Sequence, residues 1–179
     1  MSVGSGLHAG EIECLVLRLV DNVRWLGVFA RDARDELPDL TREIRLWCRI
    51  LNTDPKDQPG THWLALYASS ARRIELFDLF GFSPSMYRWD FLDPLHSSYS
   101  LQLPSTSVCV HYCIVYIYLR THNYSLYDIV GLLTDISNRD EWLNSIFTIC
   151  KFVFAFSIHV TVPVNVANYN VNFVKSIKM

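Results

Sequence analysis

The sequence has no strong charge of either sign: 16 Lys and Arg stand against 18 Asp and Glu, a net charge of −2. That balance excludes the basic stripe of a generic nucleic-acid binder. Low-complexity tracts and internal repeats are also missing. The opening MSVGSGLHAGEIEC has neither a basic region nor a long apolar run, so no signal peptide is expected. Five cysteines (Cys14, Cys48, Cys109, Cys113, Cys150) are too few, and an odd number, for a secreted disulfide scaffold. A reducing, intracellular setting is the expectation.

Apolar residues, by contrast, make up 50% of the chain and aromatics 13%, which excludes disorder as the main state. With 179 residues, one domain with a short appendage is expected, burying on the order of 70% of its unfolded surface. Phe152 to Val174 carries no formal charge, a length that spans a bilayer. Its interior argues against a membrane helix, because Pro163 and four asparagines interrupt it. Val160, Val162, Val164 and Val166 alternate with Thr161, Pro163 and Asn165, which is a strand period.

Ile12, Leu15, Val16, Leu19, Val20 and Val23 recur at helical spacing and predict an amphipathic helix. Leu26–Pro38 reads as a charged loop with Gly27 as a breaker, and Ile44–Ile50 as a strand. His62–Ser69 and Arg73–Phe80 read as the strands of an antiparallel hairpin. Gly81-Phe82-Ser83-Pro84 ends the second strand, and Ser85–Leu92 predicts a short helix. Val108–Leu119 is apolar on every side, which suits a long strand or a buried helix equally. Ser125 with Asp128 predicts a capped helix to about Ile136, and Asp140-Glu141 opens another. The order predicts an α+β fold.

Three residues stand out chemically. His62 heads a strand, directly after Pro59-Gly60-Thr61. Asp78 lies inside the partner strand between Leu and Phe on both sides, where an unpaired carboxylate is costly. A histidine on the adjacent strand would supply the donor it needs, and residue parity allows both on one face; an edge aspartate facing water is the alternative. If Val108–Leu119 is a helix, Cys109 lies in its first turn, where unpaired N–H groups favour a thiolate; a core cysteine is the alternative, and suits Cys113 better. A rival use of these residues is a metal site. Cys109, His111 and Cys113 share a face on a strand, but not on a helix, and no fourth ligand has convincing spacing.

The strings GTHWLALY (60–67), IELFDLFGFSP (74–84) and LQLPSTSVCVHYC (101–113) resemble the adenovirus-type (adenain-like) cysteine proteases, within the wider class of ubiquitin-like-modifier proteases. His62-Trp63, Asp78 before Phe80-Gly81, and Gln102 seven residues before Cys109 occur in the order of that family. Asn52-Thr53-Asp54-Pro55 and Gly27-Val28-Phe29 also resemble proteases of Maverick or Polinton-type virus-like DNA transposons. The resemblance covers Leu26 to Cys150. It implies a papain-like core with a central mixed or antiparallel sheet and the nucleophile at the N-terminus of a buried helix. Residues 1–25 would be an N-terminal amphipathic helix on that core, 26–150 the protease-like domain, and 151–179 an apolar extension of unassigned role.

The implied chemistry is peptide-bond cleavage, maturing capsid or other virus-like proteins. Cys109 would be the nucleophile, His62 its proton partner and Asp78 the group that orients the imidazole. Gln102 and the Cys109 backbone N–H would stabilise the oxyanion, and Trp63 would border the substrate cleft. No metal or cofactor is implied; an activating peptide or DNA is, although the charge gives the DNA no support. The implied partners are a protein or peptide substrate, with the chain a monomer in the nucleus or virion and no membrane association. Two departures from the family pattern stand beside the nucleophile: Val110 where glycine is usual, and His111 where a small amide is common. Both leave room for a catalytically impaired relic or binding module, and the wider class keeps a deconjugating protease for a ubiquitin-like modifier as a further reading. The last segment, from Lys151, is either the product of a disrupted reading frame, an added hairpin or a partner-binding tail.

Overall fold

The structure, a computed structural model, describes residues 7–20, 22–33, 46–58, 60–70, 73–88, 93–102, 107–156, 163–166 and 169–172, with side chains described to residue 148. It is an α+β arrangement. Helix α1 (Ala9–Leu19) precedes strands β1 (Arg24–Phe29), β2 (Trp47–Asn52), β3 (Trp63–Ser70), β4 (Arg73–Phe77) and β5 (Leu95–His96). Helices α2 (Cys109–Thr121), α3 (Leu126–Asp135) and α4 (Arg139–Phe156) follow, then strands β6 (Pro163–Val166) and β7 (Tyr169–Asn172). The first five strands form one mixed sheet in sequence order. Its outer pairs, β1–β2 and β4–β5, are parallel, and its central pairs are antiparallel. Strands β6 and β7 pair with each other as an antiparallel hairpin.

Both faces of the sheet are covered. On one face Cys48, Ile50, Ala65, Tyr67 and Phe77 join the helices in the main core. On the other, Trp47, Leu51, Leu64, Leu66, Ile74 and Leu76 form a second cluster against Leu26 and Phe29. Strand β2, central in the sheet, is buried at every position, its Arg49 included.

The ambiguous run from Val108 is a helix. Every residue of α2 from Cys109 to Leu119 is buried, because the helix lies on β3 with α1, α3 and α4 packed around it. Its far end is pinned to the sheet. Arg120 donates to Glu75 from Nη2 at 3.0 Å and pairs with it electrostatically through Nε, 2.8 Å from Oε2, and the Tyr116 hydroxyl donates to the same carboxylate at 2.7 Å. Ser125 caps α3 by accepting from the Asp128 N–H at 3.1 Å, as the Ser-x-x-Asp spacing predicts.

Several local expectations give way. The stretch from Leu26 begins as a strand rather than a loop. Gly27, with φ 107°, makes the irregularity between Trp25 and Val28 that lets β1 pair with β2 on either side of it. Helix α1 ends at Leu19, so Val23 lies beyond it. The short helix after Ser83 is a single 3-10 turn, Pro84–Tyr87, stopped by Arg88 in the left-handed region; residues 89–92 fall outside the described set, as do Ile44 and the hairpin link 71–72. Helix α4 opens at Arg139 and runs through residue 150 to Phe156, and β6 takes up the valine alternation from Pro163. Among the described residues, no helix is long and apolar enough to cross a membrane.

Candidate active site

The antiparallel register of β3 and β4 brings one end of the hairpin to the site. Ala65 faces Phe77, so His62, just before β3, and Asp78, just after β4, lie at the same edge. Asp78 is thus not inside the strand, as the sequence suggested. It begins the turn Asp78-Leu79-Phe80-Gly81, where strand pairing no longer claims its neighbours' N–H groups. Those groups turn onto the carboxylate: Oδ1 accepts from the Phe80 N–H at 3.0 Å and Oδ2 from the Phe82 N–H at 2.9 Å. The Tyr87 hydroxyl adds a third donor to Oδ2 at 2.9 Å. Gly81 permits this turn. It has φ 70°, and a Cβ there would meet the Ser98 carbonyl at 2.6 Å.

His62 supplies the fourth donor, its Nε2 lying 2.8 Å from Asp78 Oδ1. The Asp78 carboxylate is 1% exposed, so its burial is offset by four hydrogen bonds rather than by water. A carboxylate accepts only, which places the imidazole proton on Nε2 and leaves Nδ1 as the basic nitrogen. That Nδ1 is buried and has no hydrogen-bond partner among the described residues. The ring is held by stacking on Phe80, with centroids 4.6 Å apart, and lies 6.0 Å from the Tyr87 ring. Its backbone carbonyl is tied to Thr53, which donates from N at 2.9 Å and from Oγ1 at 3.2 Å.

Cys109 is the first residue of α2. It is nearly buried and borders a cleft of about 470 Å³ with Asn52, Gly60, Trp63, Ser107 and Val110. The backbone of Trp63, the residue after His62, is among the groups that act on the Cys109 thiol. Burial pushes the Cys109 thiol above the ordinary thiol value. The hydrogen bonds from the backbones of Trp63, Val110 and Cys109 itself pull it down, and the Asp78 charge pushes it up. The thiolate expected from a helix N-terminus is therefore not favoured in the free protein, because desolvation outweighs the local N–H groups.

Gln102 is buried, and its segment is docked on the Asp78 turn, where the Leu79 carbonyl accepts from the Leu101 N–H at 2.7 Å. Trp63 lines the Cys109 cleft. The helix disposes of the metal arrangement. His111 packs edge-on against Phe147, with ring centroids 4.4 Å apart, while Cys113 Sγ donates to the Trp63 carbonyl at 3.4 Å one turn below Cys109. Cys113 is fully buried, which holds its thiol well above the ordinary range. Val110 is also fully buried and belongs to the main core.

Sequence reasoning missed Tyr87 as a ligand of Asp78 and the Leu7–Ala9 segment as a wall of the Cys109 cleft. The first had a signal in the breaker Gly81-Phe82-Ser83-Pro84, which turns the chain back toward the carboxylate. The second had none, since it depends on where α1 docks.

No protein-family model matches the chain. Curated proteins named Protease do. That of Bovine adenovirus 2 is 24% identical over 132 residues, 63% of this chain and 62% of the relative. That of Human adenovirus A serotype 12 is 26% identical over 138 residues, 65% of each. That of Human adenovirus B serotype 3 is 25% identical over 139 residues, 66% of this chain and 65% of the relative. The chain thus spans 62 to 65% of the length of these relatives. The mixed sheet with Cys109 opening a buried helix against it is compatible with a papain-like protease fold, and in sequence the chain is similar to the adenovirus proteases.

Proposed function

We propose that this chain is a cysteine endopeptidase with His62, Asp78 and Cys109 as its triad. The observation that carries the reading is the polarised histidine: Nε2 is fixed on a saturated buried carboxylate, and the buried Nδ1 has no hydrogen-bond partner among the described residues. The raised thiol makes the reaction base-assisted. Nδ1 takes the Cys109 proton as sulfur attacks the substrate carbonyl carbon, and the imidazolium is stabilised by Asp78. Gln102 and the Cys109 N–H donate to the oxyanion. As the tetrahedral intermediate collapses, the C–N bond breaks and Nδ1 protonates the departing amine. Water, deprotonated by the same nitrogen, then releases the acid from the thioester.

The substrate class follows from the resemblance: capsid or other virus-like proteins, in the nucleus or virion of a virus or a Maverick or Polinton-type element. An activating peptide belongs to the same proposal, and it gives a role to a thiol held high in the chain alone. That raised thiol, with no hydrogen bond closing Nδ1 onto sulfur, also favours a second reading, a module that keeps the fold without turnover. Hydrolysis of a Gly-containing fluorogenic peptide by wild type and Cys109→Ala decides between them. Turnover by wild type alone, blocked by alkylation at Cys109, supports the peptidase. Equal rates for the two proteins would leave the module.

A further inference from the structure

We infer that Arg139 and Asp140, at the start of α4, form a clamp that sets the distance between the two oxyanion donors. The inference rests on the assignment of Gln102 and the Cys109 N–H to that role. Arg139 is the first residue of α4, where the positive end of the helix macrodipole disfavours a cation. Its position is therefore costly unless the guanidinium has acceptors, and it has them. Nε donates to the Leu101 carbonyl at 2.5 Å, and Nη1 donates more loosely to the Thr134 carbonyl at 3.4 Å.

The first contact fixes one peptide plane. The peptide joining Leu101 to Gln102 is held at its carbonyl by Arg139 and, more loosely, at its N–H by the Leu79 carbonyl, 3.4 Å away. A plane gripped at both edges cannot flip, so the direction in which the Gln102 side chain leaves the backbone is set. The Leu79 carbonyl belongs to the Asp78 turn, which ties the same plane to the histidine's partner.

The Asp140 contact fixes the other donor. Asp140 accepts from the Tyr112 hydroxyl at 2.5 Å, and Tyr112 lies on α2 just after Cys109. Both side chains are buried. One dipeptide thus holds the segment that carries Gln102 and the helix that carries the Cys109 N–H. Asn138, in the left-handed region at φ 55°, turns the chain from α3 into α4 so that both residues reach their targets. Arg139 and Asp140 are positioning residues, acting through Gln102 and α2 rather than on substrate.

The test is a double-mutant cycle in the full chain with the fluorogenic peptide. Because a small misplacement near the reacting atoms costs up to about a hundredfold, Arg139→Ala is expected to lower kcat roughly ten- to a hundredfold with KM within about twofold. Iodoacetamide alkylation of Cys109 forms no oxyanion, and its rate is expected to stay at the wild-type value. Arg139→Lys, which retains a cationic donor, restores part of kcat. In a Gln102→Ala background, adding Arg139→Ala costs less than about threefold, since the donor it positions is already gone. The clamp is overturned if the two substitutions multiply, if alkylation falls together with kcat, or if Arg139→Ala is silent while Gln102→Ala is not. Should Arg139→Ala fail to fold, the same cycle is run with Arg139→Gln, to the same expectations. If Gln102→Ala is itself silent, the oxyanion assignment fails and the clamp falls with it.

Discussion

Asp78 carries four hydrogen bonds while almost wholly buried, and that single side chain organises the histidine, the turn and Tyr87. Asp78→Asn keeps the size but brings an N–H2 group where only acceptors are wanted. It is expected to lower kcat by about 10²–10⁴, because the imidazole loses its tautomer, and to cost about 1–3 kcal/mol in a urea titration. An unchanged kcat would contradict the role given to the carboxylate. Gly81→Ala should cost about 1–3 kcal/mol or more, since both the positive φ and the Ser98 carbonyl oppose a Cβ. A stability equal to wild type would show that the turn relaxes at no expense. The thiol makes a pH prediction as well. Cys109 is raised above 9.0, so the neutral form dominates below that pH. Its alkylation rate in the free protein should still be climbing at pH 9, whereas a pre-formed thiolate–imidazolium pair would give a plateau well below it.

At the scale of elements, α2 does two jobs with its two ends. The N-terminus presents Cys109, and the C-terminus is anchored by Arg120 and Tyr116 on Glu75 of β4. Since β4 also leads directly to Asp78, this anchor fixes the helix against the strand that carries the acid. Removing one partner of a buried pair strands the other charge, so Glu75→Leu is expected to destabilise by about 3–5 kcal/mol. The double variant Glu75→Leu, Arg120→Met should recover much of that loss, and equal destabilisation of single and double variants would contradict the pairing.

The elements were unequally legible. The Ser125 cap and the β3–β4 hairpin follow from local chemistry, and the structure has both. The helix at α2 was undecidable from its own residues, because full burial erases the periodicity that separates helix from strand. Strand β1 was hidden by the charges that follow it. Of the candidate site, His62, Asp78 and Cys109 stood out by type and order, and parity allowed a His62–Asp78 contact, although the two meet just off the strand ends. Tyr87 and the Arg139 contacts were not, since they come from elements whose docking no local pattern encodes.

For the whole molecule, burial of ionisable groups sets the response to alkali. Cys48 lies at the centre of the sheet, and desolvation pushes its thiol to about 12 from 9.0. Tyr87, Tyr112 and Tyr116 are raised as well, each mainly by burial and then by a neighbouring carboxylate. A folded-state value above the unfolded one stabilises the neutral form. That contribution is complete below about pH 9 and is lost as pH rises toward 12, with a slope of up to about 1.4 kcal/mol per pH unit for each group. Urea midpoints should therefore be level up to about pH 9 and fall from there to pH 10.5, less steeply in Cys48→Val; an identical slope in both proteins would contradict the assignment.

Peptidase chemistry in this chain requires Cys109 to form a bond to substrate with the help of His62. The direct measurement is mass spectrometry of the intact chain, quenched in acid within the first turnover of an activated peptide ester, followed by peptide mapping. An acyl thioester is expected on Cys109, absent in His62→Ala although that variant retains the fold. An adduct on Cys113 or Cys14, or acylation of Cys109 at the same rate without His62, would contradict it.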